Sequence, residues 1–243
     1  MSLSLILLAA ATPPTPPVVT LKELRTGSRI EQSVDYSVSE MKKQQVVLYQ
    51  REMGECIVHL QGGVSRRLVA ASADGAIDFK KAGIAPQKLF DAMSVESCME
   101  RVSSRGIGTL WSADYGALHA LLVGPLYRST FDKAPTRDWV RVTAVPVAAV
   151  GHPDVVATNL VSGAFGECVA RMDFSAADRF VRAEPYSKAE NDALGYIKMA
   201  IPQCLDEGAK VSMTKDALRR IVADAVWRLA MGTDVLATNT GSK

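Results

Sequence analysis

The sequence predicts a mainly α-helical (all-α) protein made of two tandem copies of a unit of about four helices. First, Gly54-Glu55-Cys56-Ile57-Val58 returns 112 residues later as Gly166-Glu167-Cys168-Val169-Ala170. Second, a further cysteine and then an Ala-Leu segment (117–122 and 217–222) follow each copy in the same order. Third, apolar residues recur at the helical period in both copies. These observations predict helical repeat 1 at 30–131 and helical repeat 2 at 153–232.

Residues 1–20 read as a signal-like segment followed by a proline-rich leader. A short apolar run from Leu3 to Ala11 ends in small residues, and four prolines lie between Pro13 and Pro17. This pattern predicts a secretory signal cleaved near Ala11, although no Lys or Arg precedes Lys22. A start codon placed too far downstream would explain that departure, and the alternative is the frayed N-terminus of a cytosolic protein. The run is too short to cross a membrane, so we expect no membrane span in the mature chain.

Repeat 1 contains four expected helices. They cover 39–60, 66–71, a segment that begins at Pro86, and a segment from Ser112 toward Arg128. The stretch Val46–Tyr49 can also be read as a strand. Gly62-Gly63 is expected to break the chain, and Asp74-Gly75 marks a loop. Pro125 lies inside the fourth helix and predicts a kink or an early end there, since proline removes a hydrogen bond.

Repeat 2 has the clearer helix signals. Its expected helices begin at Asp154, Ser175, Ser187 and about Ser212, and the last carries an apolar stripe from Ala217 to Leu229. Ser187 followed by Glu190 is a capping box. Ser175 is expected to cap a short helix through Val181, and Pro202 to end the helix that precedes Cys204.

The remaining segments connect or follow the repeats. Residues 132–152 contain Pro135, Pro146 and the alternating stretch Trp139–Val142, which predicts an extended linker with at most one strand. Residues 233–243 are polar and are expected to be a disordered tail. The sequence leaves open whether the two repeats pack together about a pseudo-twofold axis or move separately.

The four cysteines allow three pairings. A bond that both copies inherited joins equivalent positions, so the duplication predicts Cys56 with Cys98 and Cys168 with Cys204. The alternative is four buried free thiols in a reducing compartment. Neither pair has the spacing of metal ligands, and we expect no metal site.

Composition limits the partners. Hydrophobic residues make up 48% of the chain, charged residues 22%, and the formal net charge is +2. These values are typical of a compact globular protein. No basic stretch interleaved with aromatic residues occurs, so we expect no nucleic-acid partner.

A search for catalytic motifs finds little. Phosphate-binding loops, dinucleotide fingerprints, H-E-x-x-H, G-x-S-x-G and C-x-x-C are all missing from the sequence. His59 and His119 align with Arg171 and Arg219, which predicts exposed polar positions rather than a general base. Ser212-Met213-Thr214-Lys215 matches S-x-x-K, but the equivalent Ser112 lacks the lysine, so we interpret Ser212 as a helix cap. We therefore predict no catalytic residue and no cofactor, and we lean against an enzyme.

The candidate binding residues are charged groups that recur in both copies: Glu55, Arg128, Glu167 and Arg228. An arginine fork can bind a carboxylate or a phosphate. The alternative is that each glutamate pairs with the arginine at the end of the last helix of its own copy. Trp111, Trp139, Trp227 and Tyr127 are expected to be core residues rather than a ligand platform.

The combined pattern resembles uncharacterised exported proteins of alphaproteobacteria. It consists of a signal-like start, Gly-Glu-Cys-Val before a short Arg-x-Val helix, a second cysteine near a helix end, and a last helix that ends in Tyr-Arg or Trp-Arg. The resemblance covers both repeats and implies export and a disulfide-paired helical repeat, but it implies no activity.

Three classes of function follow. We expect first a non-enzymatic periplasmic or secreted interaction or structural protein, whose partner is an envelope protein. The alternatives are a carrier or sensor that binds a small apolar molecule between helices, and an unrecognised envelope hydrolase. The hydrolase requires a deep pocket in which polar groups from both repeats converge.

Overall fold

The computed structural model describes residues 43–103, 117–206 and 212–234, and within these ranges the chain is mostly helical. The predicted all-α class is confirmed. The predictions for the leader, for residues 30–42, and for Trp111 and Ser112 lie outside the described residues. No helix in the described ranges combines the length and apolar character that a membrane crossing requires.

The first half contains five helices in its described part. They are α1 (Lys43–Ala70), α2 (Phe79–Ala82), α3 (Leu89–Ala92), α4 (Val95–Ser103) and α5 (Leu118–Thr130), with a 3-10 turn at Pro86–Lys88 before α3. The stretch Val46–Tyr49 is helical. Strands β1 (Ser72–Ala73) and β2 (Ala76–Ile77) form a small antiparallel hairpin, and Gly75 at its tip has a φ of 92°, which suits glycine.

The second half contains four helices in its described part. They are α6 (Pro153–Met172), α7 (Phe174–Arg182), α8 (Lys188–Ala200) and α9 (Lys215–Ala230), with a 3-10 turn at Ile201–Cys204 after α8. Strand β3 (Val142–Thr143) lies in the linker and pairs antiparallel with β4 (Thr233–Asp234). The expected disordered tail is therefore wrong at its first two residues, because Thr233 and Asp234 pair with the linker. Residues 235–243 lie outside the described residues.

The two halves pack against each other through their last helices. Helix α1 packs on α5, α6 packs on α9, and α5 packs on α9. One buried hydrophobic cluster includes Leu122 and Tyr127 from the first half and Phe180 and Val226 from the second. The question that the sequence left open is thus answered for the described residues: the two halves share a core.

Each half carries the disulfide that the repeat predicts. Cys56 is bonded to Cys98, and Cys168 to Cys204, with a Cα–Cα distance of 5.7 Å in both. The described residues contain no free cysteine. Two disulfides are typical of a non-cytoplasmic protein, since reducing compartments keep thiols free.

Equivalent residues make equivalent close contacts in the two halves. A Cβ atom on Gly54 would overlap the carbonyl oxygen of Leu121, and one on Gly166 would lie 2.8 Å from the carbonyl oxygen of Ile221. The duplication pairs Gly54 with Gly166 and Leu121 with Ile221. These contacts are those that a duplicated fold requires, although the duplication itself stays a prediction.

One expected break in repeat 1 is found one residue earlier, and the early end expected at Pro125 does not occur. Two helical segments meet at a kink within α1, next to the predicted break at Gly62-Gly63, where Gln61 has non-helical φ and ψ of −134° and 44°. Gln61 donates a hydrogen bond from Nε2 to Ser94 Oγ at 2.8 Å, which fixes this irregular position. Helix α5 does not end early at Pro125 but runs to Thr130. Pro125 has no N–H group to donate to Leu121 O, and this carbonyl oxygen instead faces Gly54.

Two expected helix caps are wrong, and one is confirmed. Helix α7 begins after Asp173, whose carboxylate accepts from the Ala176 N–H at 2.8 Å, whereas Ser175 lies inside the helix. Helix α9 begins after Thr214 rather than Ser212, because Thr214 Oγ1 accepts from the Ala217 N–H. Ser187 caps α8 as predicted, through the Glu190 N–H.

Candidate functional site

A cleft of about 280 Å³ lies between the two halves. The end of α1 and strand β1 form one side, α6 and α9 form the other, and the linker residues Val145–Ala148 form a third wall. The wall is largely apolar, and it includes Val69, Val147, Ile221 and Trp227. The cleft therefore exists only when both halves and the linker are folded together.

Three polar side chains from distant parts of the sequence form a hydrogen-bonded chain in this cleft. Ser72 Oγ lies 3.0 Å from His119 Nδ1, and His119 Nε2 lies 3.0 Å from Asp224 Oδ1. Ser72 comes from β1, His119 from the start of α5, and Asp224 from the middle of α9. The Ser72 hydroxyl is also 2.7 Å from Leu68 O. Polar groups from both halves thus converge in the cleft.

Asp224 is held in its ionised form. Burial raises the pKa of its carboxyl group, but the hydrogen bond and charge of His119, together with the charge and hydrogen bond of Arg228, outweigh burial and leave the pKa below its ordinary value. Arg228 Nε donates to Asp224 Oδ2 at 2.8 Å. The two carboxylate oxygens therefore have separate partners.

The predicted pair Glu167 and Arg228 is brought together beside the cleft. Arg228 Nη1 lies 3.2 Å from Glu167 Oε2, and the same guanidinium donates to the carbonyls of Val145 and Gly163. Arg228 is 5% exposed. Arg228 makes four hydrogen bonds to protein acceptors, so it positions the linker and Asp224 and is not a free ligand-binding fork.

The predicted pair Glu55 and Arg128 also forms, in a different place. Arg128 Nη2 lies 2.9 Å from Glu55 Oε1, and Arg128 Nη1 donates to Val181 O at 3.0 Å. Burial, with the nearby positive charge of Arg51, lowers the pKa of Arg128 to about 10. Arg51 in turn donates to Ala183 O at 2.6 Å. This pair joins the first half to the end of α7, where backbone carbonyls lack helical partners.

Lys215 of the S-x-x-K match has a structural partner. Its Nζ lies 2.7 Å from Oε2 of Glu190, a fully buried carboxylate that also pairs with Arg219 and accepts from the Tyr186 N–H. Burial, with the charges of Arg51 and Arg128, lowers the pKa of Arg219 to about 10. The lysine is therefore the counterion of a buried glutamate, and Ser212 is not its partner in the contacts seen.

The expectation that His119 is exposed is wrong, whereas His59 is exposed as predicted. His119 is 8% exposed because it bridges Ser72 to the second half. The comparison of repeats could not find this site, since Arg219 and Gly124 stand at the positions equivalent to His119 and Asp224. Trp227 and Tyr127 are buried, and Trp139 stacks on Phe174.

Within the described ranges, no group of three or more His, Cys, Asp or Glu side chains is arranged to hold a metal ion. The chemistry that the cleft offers is that of its own hydroxyl, imidazole, carboxylate and guanidinium groups. No protein-family model, curated protein or solved structure matches this chain.

Proposed function

We propose that this is an exported protein that binds a small amphiphilic molecule, mainly apolar but with one anionic group, in the cleft between its two halves. The observation that carries the proposal is the cleft itself, whose volume of about 280 Å³ is close to the lower end of ordinary ligand pockets. Export is supported by the two disulfides and by the signal-like first residues.

The apolar wall favours the apolar part of the ligand. Val69, Val147, Ile221 and Trp227 come from three different segments, which are α1, the linker and α9, and face the same space. Removing apolar ligand surface from water is favourable by roughly 25 cal/mol per Å². A ligand that fills this space gains most of its binding free energy there.

The charged groups favour an anionic end. Arg66 and Arg220 line the cleft, and both are exposed to solvent. Arg220 pairs with Asp74 across 3.5 Å, and both side chains are about half exposed, so the pair is weak. Two guanidiniums against one carboxylate leave a positive balance, which suits a carboxylate or a sulfonate.

The test uses 8-anilinonaphthalene-1-sulfonate, an apolar aromatic probe with one sulfonate. We expect one molecule to bind per folded chain, measured by calorimetry and by its fluorescence. Ser162→Phe places a large side chain in the cleft and is expected to weaken binding at least tenfold. The matched control is Val161→Phe on the same helix, at a 71% exposed residue outside the cleft lining. Equal binding by both variants would refute the cleft as the site.

A second pair of variants tests the anionic end. Arg220→Gln is expected to weaken binding of the sulfonate probe several-fold but to leave binding of neutral Nile red unchanged. Arg141→Gln is the control, because Arg141 is exposed and pairs with Asp138 away from the cleft. A loss that is equal for both probes would indicate that Arg220 supports the fold rather than the anion.

The interaction role is the second candidate. Tyr196 and Met199 lie one turn apart on α8 and are 51% and 63% exposed, and Leu160 and Val161 on α6 are also exposed. Exposed apolar side chains in neighbouring positions are typical of docking surfaces. In-cell crosslinking of the full-length chain tests this role, and the double variant Tyr196→Ser/Met199→Ser is the comparison. A defined envelope partner that crosslinks to the wild type but not to the double variant supports the role. Crosslinks that are the same for both proteins oppose it.

A further inference from the structure

The proton positions in the Ser72–His119–Asp224 chain follow from its acceptors. Asp224 is ionised and can only accept, so His119 Nε2 carries a proton and donates it to Oδ1. In the neutral imidazole, Nδ1 is then an acceptor that faces the Ser72 hydroxyl at 3.0 Å. The hydroxyl hydrogen can rotate between this nitrogen and Leu68 O without moving a heavy atom. In its neutral form, and not as the charged imidazolium that helps to hold Asp224 ionised, the ring can receive the serine proton.

This arrangement meets the geometric requirement for an activated nucleophile. The nucleophile must lie within hydrogen-bond distance of the base, and the base within hydrogen-bond distance of the group that orients it. The Ser72–His119 and His119–Asp224 distances are both 3.0 Å. Such chains are recognised by geometry and roles rather than by sequence position. His119 presents Nδ1 to the serine, the reverse of the serine-protease arrangement, in which Nε2 faces the serine. Both ring nitrogens can act as a base.

We propose that Ser72 is the nucleophile of an acyl-transfer site, with His119 as its general base and Asp224 as the positioning residue, and that the substrate is a small carboxylic ester. The proposal rests on the proposed function, because the cleft must first bind the apolar part of the ester. All three residues line that cleft. Ser72 is 3% exposed, so a substrate reaches it from within the cleft rather than from the outer surface.

The reaction needs no co-reactant other than water. Ser72 Oγ attacks the ester carbonyl carbon while His119 Nδ1 takes the hydroxyl proton, and the carbonyl electron pair moves to its oxygen. When the pair returns, the alcohol oxygen leaves and takes the proton from Nδ1, so that Ser72 is acylated. Water then loses a proton to Nδ1 and attacks the acyl carbon, and Ser72 Oγ leaves and regains that proton. The products are a carboxylic acid and an alcohol.

The first test is covalent labelling of the full-length, disulfide-bonded protein with a rhodamine fluorophosphonate, followed by peptide mapping. We expect the label on Ser72, and we expect Ser72→Ala to lose it. Ser175→Ala is the control, since Ser175 is exposed on α7 and lies outside the cleft lining. Ser72→Cys nearly keeps the side-chain volume and is also expected to lose the label if Ser72→Ala does not fold. Label that persists on Ser72→Cys, or wild-type protein without label at Ser72, would overturn the proposal.

The second test separates the roles through hydrolysis of 4-nitrophenyl butyrate. We expect His119→Gln to lower kcat at least 100-fold, within the usual range for a general base. Asp224→Asn is expected to lower kcat at least tenfold with KM unchanged. Because a smaller fraction of folded protein would lower the apparent kcat in the same way, kcat is calculated per chain that binds 8-anilinonaphthalene-1-sulfonate. Binding of 8-anilinonaphthalene-1-sulfonate is measured on the same samples. If the wild type binds one molecule of 8-anilinonaphthalene-1-sulfonate but is neither labelled nor active on the ester, the nucleophile proposal is overturned and the binding function stands. If the wild type shows no binding, no labelling and no hydrolysis, both proposals are overturned.

Discussion

The Cα atom of Gly54 packs so closely against the backbone carbonyl of Leu121 that a Cβ atom at residue 54 would overlap its oxygen. The carbonyl oxygen belongs to the backbone of α5 and cannot rotate away. In the second half, Gly166 and Ile221 repeat the relationship. Glycine at residues 54 and 166 thus sets how closely the cysteine-bearing helix approaches the last helix of its half.

We expect Gly54→Ala and Gly166→Ala each to lower the free energy of unfolding by about 1–3 kcal/mol, because the added methyl group overpacks a helix contact. Gly195→Ala is the matched control. It lies on the exposed side of α8 with open space where its Cβ would be, and alanine there is expected to raise the free energy of unfolding by up to about 1 kcal/mol. Urea unfolding measures all three, and similar values for residues 54 and 195 would contradict the packing argument.

Each disulfide is expected to stabilise its half to a similar extent. The bonded cysteines are 42 and 36 residues apart, for which the chain-entropy model gives about 4 kcal/mol each. The double variants Cys56→Ala/Cys98→Ala and Cys168→Ala/Cys204→Ala should therefore lose comparable amounts of unfolding free energy in urea. Dithiothreitol, which reduces both bonds, should lower the unfolding free energy of the wild type by about the sum of these two losses. If peptide mapping shows that both bonds are reduced, an unchanged urea midpoint would disprove this prediction.

The buried carboxylate of Glu190 makes a sharper prediction. Glu190→Gln removes the counterion of Lys215 and Arg219, and breaking a buried ion pair typically costs about 3–5 kcal/mol of stability. Asp192→Asn, two residues further along α8, breaks the exposed pair with Lys188 and should change stability little. Thermal and urea unfolding of the two variants provides the comparison, and equal stabilities would argue against a role for the buried charge.

The lowered pKa of Asp224 predicts how the stability of the protein depends on pH in the acid range. Its pKa is lower in the folded protein than in the unfolded chain, whose value is about 3.9. Its contribution to stability is therefore fully present above about pH 4 and is lost as the pH falls through the lower folded value. We expect the difference in unfolding free energy between the wild type and Asp224→Asn to shrink below about pH 4. A difference that stays constant from pH 7 to pH 2 would show that the carboxylate is not held by His119 and Arg228.

The internal repeat carried most of what could be predicted. Residues that recur at equivalent positions in both halves meet equivalent partners, as Glu55 with Arg128 and Glu167 with Arg228 show. The helix signals in repeat 2 were also informative, since Ser187 caps α8. The early end that Pro125 could have caused does not occur, because packing of α5 on α1 continues past the proline.

The cleft could not be predicted in the same way. Ser72, His119 and Asp224 belong to a hairpin and two helices that meet only when both halves pack together. Their positions in the other repeat carry different residues, so the chain of hydrogen bonds is not symmetric, and comparison of the two copies gives no signal for it. The residues next to His119 in the sequence do not distinguish a buried histidine from an exposed one.

By itself, the sequence determined the helical class and the cysteine pairing, and it offered the charged pairs of each half as the alternative to ligand binding, because these depend on periodicity and on recurrence within the chain. The tertiary structure decided that α5 and α9 pack together, that the linker forms a wall, and that Ser72, His119 and Asp224 come within hydrogen-bond distance. The hydrogen bond with the larger sequence separation joins residues 119 and 224. The free energy that stabilises the contacts between the halves comes from burial and electrostatics, which no local pattern in the sequence records.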